Sequence, residues 1–378
     1  MSETHTHAPA VVEIRQANTD EYDEVARVTE SAFADGPYGH LPVTEQRRTL
    51  VRDVAARAHS GDVLVAARDD GTILGTVTLL RAGTPQSRLA RRDEAELRLL
   101  AVAPSARGAG LGRALALAAE EVAHGWGASA VVLDTGALNA VSQQLYRSLG
   151  YAVSGDDELI DDELIGGERA GSEQQPHEAR IQHLNFRRSI RGSEDVDVRL
   201  VHADEHDAVA DLSERAYTLE YDISEGYRST LRSVAERARE HQVWVAVDRL
   251  DGTLLGAVAT PKRARTISPL ARAGELDFRL LAVDPPARGR GVGELLTRHV
   301  IELARLRGID HVVMNSGPQM IGAHRLYEKL GFTRMLDREP VISDGDKTFQ
   351  LLSFTIPVDR APLATEHSPV VSSAAVTR

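Results

Sequence analysis

Two stretches of this 378-residue chain, Leu99–Gly112 (LLAVAPSARGAGLG) and Leu280–Gly293 (LLAVDPPARGRGVG), follow one pattern and lie 181 residues apart. The same offset carries Leu145–Tyr151 onto Leu326–Phe332 and Asp70–Gly75 onto Asp251–Gly256, while Asp20–Asp23 matches Asp204–Asp207 at 184. Loop length therefore differs by a few residues between the copies. A repeat this long is a duplicated domain and not a solenoid unit. The chain has room for two domains that each bury a core. The expected bounds are 11–190 and 196–358, with a linker at 191–195 and polar, disordered ends at 1–10 and 359–378.

Each copy reads as an apolar strand, a proline-marked break, a loop with glycine at every second position, and a helix. That order makes an anion site, because glycines let successive backbone N–H groups converge while the helix N-terminus adds its positive dipole end. A nucleoside-triphosphate loop would need Gly-Lys-Ser or Gly-Lys-Thr, yet Arg113 and Glu294 follow the last glycines. A dinucleotide fingerprint would place its third glycine where those residues stand.

The surrounding pattern predicts strands at 11–15, 63–67, 73–80, 96–102, 130–134 and 180–187 in the first domain. Helices are predicted from Asp20 as N-cap, then at 44–58, 111–124 and 140–149. The second domain repeats the order, with strands at 198–201, 243–247, 254–259, 277–283, 311–315 and 349–356. Its helices are expected from Asp204 and at 231–239, 292–306 and 322–330. Hairpins mixed with crossover helices indicate an α+β fold, a mixed central sheet flanked by helices in each half. The acidic stretch 154–178 reads either as a solvated, mobile segment or as a lid over a cationic acceptor.

A formal charge of -12 argues against nucleic-acid and membrane partners and suits a cationic substrate. The chain has no cysteine, which excludes disulfides, thiolate catalysis and Cys-ligated zinc, and its scattered histidines suggest no metal site. Without a long apolar run or a signal-like start, a cytoplasmic protein is expected.

At Arg107-x-x-Gly110-x-Gly112 and Arg288-x-x-Gly291-x-Gly293, each followed 39 residues after its arginine by a tyrosine, the chain resembles the GNAT superfamily of N-acetyltransferases. The resemblance covers residues 11 to 357. It implies acetyl-CoA as co-substrate, with no metal. Its pyrophosphate would lie on Arg107, Gly108, Ala109, Gly110, Leu111, Gly112 and Arg113, and on Arg288, Gly289, Arg290, Gly291, Val292, Gly293 and Glu294. Its pantetheine arm would run along Leu100, Ala101 and Val102, and along Leu281, Ala282 and Val283. Asn139 matches a further coenzyme contact of the family, whereas the second half has Met320 there.

The resemblance makes Tyr146 and Tyr327 proton donors to the departing thiolate, and a phenol is suited to that task. The other reading of each is an aromatic packed on the sheet. Glu96 and Asp277, at equivalent strand positions, are either general bases for the attacking amine or solvated or ion-paired strand residues. The acceptor pocket of the family lies by the first two helices. There the second half reads Tyr217–Tyr227, aromatics interleaved with acids that either suit an ammonium group or form an amphipathic helix with tyrosine in its core, and the first reads Phe33–His40, shorter and more turn-like.

Two functions follow. The first is direct acetyl transfer from acetyl-CoA to the primary amine of a small-molecule or peptide acceptor. The second makes one half catalytic and the other a non-catalytic acyl-CoA-binding or dimerisation module. A homodimer is compatible with either.

Overall fold

The computed structural model describes residues 12–154, 182–344 and 347–359. The expectations for 154–178 and for the two ends fall outside them, apart from Ser154 and Asp359. The first half runs β1 (Val12–Gln16), α1 (Tyr22–Ala34), α2 (Glu45–Arg52), α3 (Val54–Ser60), β2 (Gly61–Arg68), β3 (Ile73–Arg81), β4 (Glu94–Val102), α4 (Leu111–Gly125), β5 (Ala130–Gly136), α5 (Ala140–Ser148), β6 (Ala152–Val153) and β7 (His183–Ser189). The second runs β8 (Val196–Leu200), α6 (His206–Thr218), α7 (Glu225–Arg232), α8 (Val234–Glu240), β9 (Gln242–Asp248), β10 (Leu254–Thr260), β11 (Glu275–Asp277), β12 (Arg279–Val283), α9 (Val292–Leu306), β13 (His311–Ser316), α10 (Ile321–Lys329), β14 (Thr333–Arg334), β15 (Val341–Asp344), β16 (Lys347–Gln350) and β17 (Leu352–Pro357).

The first sheet has the order β1-β2-β3-β4-β5-β7-β6 and is antiparallel except where β4 meets β5. Both faces are covered, so β2 and β3 are apolar almost throughout instead of alternating. One face packs Val77, Leu79, Ala95, Leu97, Val131 and Leu133 against the Ala- and Leu-rich α4. The other packs Val63, Val65 and Ile73 against Val25, Val28 and Val54 of α1 and α3. The second half repeats both layers, but its sheet is divided into β8-β9-β10-β12 and β11-β13-β17-β14.

Several expected boundaries differ. Asn18, not Asp20, caps the first helical turn, with Glu21 closing a capping box. The helix expected over 44–58 is broken at Asp53, whose backbone leaves helical geometry while its carboxylate caps the amide of Ala56 at 2.9 Å. Ser233 breaks α7 from α8 in the same way, through its backbone alone. The strand expected at 180–187 is β7, displaced towards the C-terminus. Phe349 belongs to the β15/β16 hairpin and not to the last strand.

The halves meet through α4 and α9. Glu121 of α4 receives Arg307 and Arg263 of the second half, each at 2.7 Å, and Arg188 of β7 joins Glu120 at 2.6 Å and Glu302 at 3.4 Å. His124 and His299 stack edge to face between these pairs, with ring centroids 5.3 Å apart. Among the described residues no helix is long and apolar enough to cross a membrane.

Candidate active site

Gly108 and Gly110 sit at φ 81° and 76°, and Gly289 and Gly291 at 80° and 79°. A side chain at any of the four would meet nothing within 4 Å, so glycine is required by backbone conformation while the space above stays open. Gly110 and Gly291 are the N-caps of α4 and α9, and no side chain caps either helix. The first-turn amides of two 15-residue helices are therefore free of a side-chain cap, beside open space at Gly110 and Gly291. At Gly293 a Cβ would press on Leu326 at 3.3 Å, whereas at Gly112 it would make only an ordinary contact with Leu145 at 3.6 Å.

The arginines that open the motif turn away from the loop. Arg107 pairs with Asp35 at 2.6 Å and donates to the Ala32 carbonyl at 2.9 Å, and Arg288 does the same with Glu220 and Ala216. Their side chains brace the C-terminal end of the first helix of each half against the loop. Arg290 pairs with Asp248 at 2.7 Å, Glu294 with Lys329 at 2.7 Å, and Arg113 donates to Ser148 at 3.2 Å. These side chains are thus engaged by protein partners, while the space above Gly108, Gly110, Gly289 and Gly291 stays open.

Beside the loop the sheet opens. Leu99 and Leu280 adopt φ 52° and 55°, a left-handed conformation rare for leucine. Each sits in a bulge, where two residues oppose one on the neighbouring strand. β4 pairs with β5 only from Glu94 to Glu96, yet remains paired with β3 out to Val102. The edge of Leu100, Ala101 and Val102 towards β5 thus lies outside the ladder. In the second half Phe278 interrupts the strand entirely, and β11 and β12 belong to different sheets. A cleft bordered by unpaired strand backbone can hold an extended amide-bearing arm by main-chain hydrogen bonds.

Tyr146 packs on Tyr151 and Phe186, and Tyr327 on Phe278, Phe332 and Phe354, with centroids 5.6 to 6.1 Å apart. Both rings are core residues. Burial pushes both hydroxyls well above the usual tyrosine range, aided by Asp134 for Tyr146 and by Tyr221 and Tyr227 for Tyr327. Each phenol therefore keeps its proton at neutral pH, and neither has a hydrogen-bond partner among the described residues.

Glu96 is fully buried, and its Oε2 accepts from Ser87 Oγ at 2.9 Å and from the amides of Arg88 and Leu89 at 2.6 and 2.9 Å. Asp277 holds the matching loop, accepting from the Ile267 amide at 3.1 Å and Ser268 Oγ at 2.6 Å. Both carboxylates staple the loop that precedes their strand. Oε1 of Glu96 has no hydrogen bond and faces Arg98 Nε at 3.5 Å. Asn139 caps α5 by accepting from the Ser142 amide at 3.2 Å; Met320 gives α10 no such cap.

Alternation along β4 sends Ala95 and Leu97 into the α4 core, and Glu96 and Arg98 to the face covered by α1, α2 and α3. On that face the first half carries a pair the sequence reading missed. Asp134 of β5 meets His183 Nδ1 at 2.6 Å and Arg88 at 3.3 Å. Burial opposes its charge, but His183 and the arginines outweigh burial and hold its carboxyl at about 2. Asn315 and Leu351 stand at these positions in the second half. Tyr38 reaches across to accept from the Leu138 amide at 2.7 Å, and a Cβ at Gly136 would collide with its ring at 2.3 Å.

In the second half a cavity of about 410 Å³ is lined by Thr218–Ile223 and Arg228. Tyr217 donates to the Leu281 carbonyl at 3.2 Å. The acids expected to attract an ammonium group are engaged, Glu220 with Arg288 and Glu225 with Arg228.

A sheet split beside an open, glycine-led helix N-terminus, present twice, defines a tandem α+β protein of the GNAT class. The Acetyltransferase (GNAT) family matches residues 22–151 and 206–332, more than half of the chain, and the chain belongs to that family. It is 35% identical over 108 residues to glucosamine 6-phosphate N-acetyltransferase 1 of Oryza sativa subsp. japonica, covering 29% of this chain and 62% of that protein. It is 36% identical over 91 residues to mycothiol acetyltransferase of Beutenbergia cavernae, covering 24% and 28%. The chain spans less than two thirds of the length of these curated relatives. Among solved structures, a ribosomal-protein-alanine N-acetyltransferase from Brucella melitensis is similar at 22% identity and a TM-score of 0.35, over 47% of this chain and 99% of that one.

Proposed function

We propose that the chain is an acetyl-CoA-dependent N-acetyltransferase with a coenzyme site in each half, domains bounded at 11–190 and 196–358, acting in the cytoplasm on a small amine. The observation that carries the reading is the repeated unit itself: two left-handed glycines, an uncapped helix and an opened sheet edge. Names such as glucosamine 6-phosphate N-acetyltransferase and N-acetylaspartate synthetase among the relatives favour small-molecule acceptors.

Acetyl-CoA supplies an activated acyl carbon. The α4 amides bind its pyrophosphate, and the free edge of Leu100–Val102 orients its arm. A strand N–H takes up charge on the carbonyl oxygen, which contributes the larger part of such rate enhancements. The amine nitrogen bonds the acyl carbon as the C–S bond breaks. Its proton leaves through His183, held by Asp134, or through water beside Glu96. Tyr146 donates its proton to the sulfur, worth ~10²–10⁴ in rate. In the second half Tyr327 is the donor.

The substitution of Asn315 and Leu351 for the Asp134–His183 pair, with Met320 for Asn139, favours a second reading, in which the second half binds coenzyme without turning it over. Thiol release from acetyl-CoA, measured with the full chain across a panel of primary amines, tests the proposal. Amine-dependent release is expected, and binding without release on any acceptor would contradict it.

A further inference from the structure

Four arginines gather on the acceptor face of the first half. Arg98 of β4 lies within electrostatic reach of Arg47 of α2, Arg57 of α3 and Arg88 of the loop before β4; Glu96 and Asp134 oppose Arg98, and Asp53 opposes Arg57. Arg57 is 1% exposed, and its bonds go to neutral acceptors, Thr78 Oγ1 at 2.5 Å and the Val51 carbonyl at 3.0 Å. Its Nε is sealed and unpartnered, and it has no ion pair among the described residues. Thr78 is the residue that pairs with Arg98 across the sheet, so the two guanidiniums flank one position. Arg98 donates Nη1 to the Gln86 carbonyl at 2.8 Å and faces Glu96 through Nε at 3.5 Å, which leaves its Nη2 without a hydrogen bond among the described residues.

Burying a guanidinium without a counter-charge is costly, and placing it beside another raises the cost. Burial, with the charge of Arg98 and against that of Asp53, lowers Arg57 to about 10. The arrangement recurs. Arg237 is the fourth residue of α8 as Arg57 is of α3, and Arg279 precedes the bulged Leu280 as Arg98 precedes Leu99. Arg237 and Arg279 again feel one another's charge, and the exposed Arg279 has no partner among the described residues. Around this pair the halves differ at Arg88, Asp134, Asn139 and His183, where the second has Pro269, Asn315, Met320 and Leu351.

We infer that each acceptor site is built for an amine that also carries an oxyanion group, a carboxylate or a phosphate, held by Arg98 in the first half and by Arg279 in the second, with the positive charge of Arg57 and Arg237 behind them. The arginine fork matches such anions bidentately. The net negative charge of the chain does not describe this pocket. The inference rests on the acetyltransferase reading and narrows its substrate to zwitterionic or phosphorylated amines.

The test has two arms on the full chain. In the first, protein saturated with coenzyme A, so that the glycine loops are filled, is titrated calorimetrically with inorganic phosphate. Saturable binding is expected, weakened ~10–100-fold by Arg98→Gln together with Arg279→Gln. The exposed Arg279→Gln alone, which leaves the core untouched, should weaken the second site. In the second arm, thiol release compares glycine with glycinamide, aspartate with asparagine, and glucosamine 6-phosphate with glucosamine. The more anionic member should win in kcat/KM, and the variants should raise KM more than they lower kcat. Which pair separates most identifies the anion. No saturable phosphate binding, binding unchanged in the variants, or preference for the less charged members would overturn the inference. Failure of coenzyme A to bind would instead contradict the acetyltransferase reading.

Discussion

Lowering the pH should weaken the fold through the His124–His299 pair. Both rings lie between α4 and α9 with their Nε2 atoms sealed and unpartnered, and Trp244 closes on His299 at 4.3 Å. Burial dominates and holds His124 at about 4, although Glu302 and Glu121 favour its charge and Arg188 and Arg305 oppose it. Burial also lowers His299, helped by His124 and Arg307. The folded value lies below the unfolded ~6.5, so between these pH values the unfolded chain binds more protons and stability falls as pH falls. A shift from 6.5 to about 4 corresponds to ~3 kcal/mol lost from His124 alone by pH 4. That is a large part of the ~5–15 kcal/mol by which domains are stable. Asp134, depressed to about 2, keeps its contribution until pH drops below ~4, so the two effects separate. Urea midpoints between pH 7.5 and 4 would be compared for the wild type and for His124→Leu with His299→Leu. The variant should show a flatter profile from ~6.5 to ~4. Parallel profiles would refute the reasoning.

Tyr146→Phe should leave coenzyme binding nearly unchanged and lower kcat by ~10²-fold or more in the active half, with Tyr327→Phe doing the same for the other. Full activity in each single variant would make the tyrosines packing residues only. Glu96→Ala strands the amides of Arg88 and Leu89, so it should cost ~2–4 kcal/mol in chemical denaturation. Glu96→Gln keeps an acceptor oxygen and should recover most of that stability; a loss of turnover that persists in Glu96→Gln would show that the carboxylate also serves as a base. Asn139→Ala removes the α5 cap and should destabilise by ~1 kcal/mol, read as a lower thermal midpoint.

The duplication and the glycine loops were legible because glycine is the residue that adopts a left-handed turn without strain, so residue type reports backbone conformation there. The bulges were not, since leucine at φ 52° or 55° gives no local signal; tertiary pairing with β3 and β10 imposes it. Asp53 could have been read as a cap inside a helical run, yet the amphipathic pattern of 44–58 continues through it. The Asp134–His183 pair joins residues 49 apart in sequence through the β5/β7 ladder, and adjacency of that kind is fixed only by strand order. Arg57, in a run of small and polar residues, reads as a surface arginine; the short α3 packed on β2 buries it.

Isothermal titration of the full chain with acetyl-CoA tests the central claim most directly. Two equivalents are expected for the wild type. Gly110→Glu and Gly291→Glu, each forcing a side chain and a negative charge into a left-handed loop position, should each remove one. No saturable binding by folded wild-type protein, or two equivalents retained in both variants, would contradict the account.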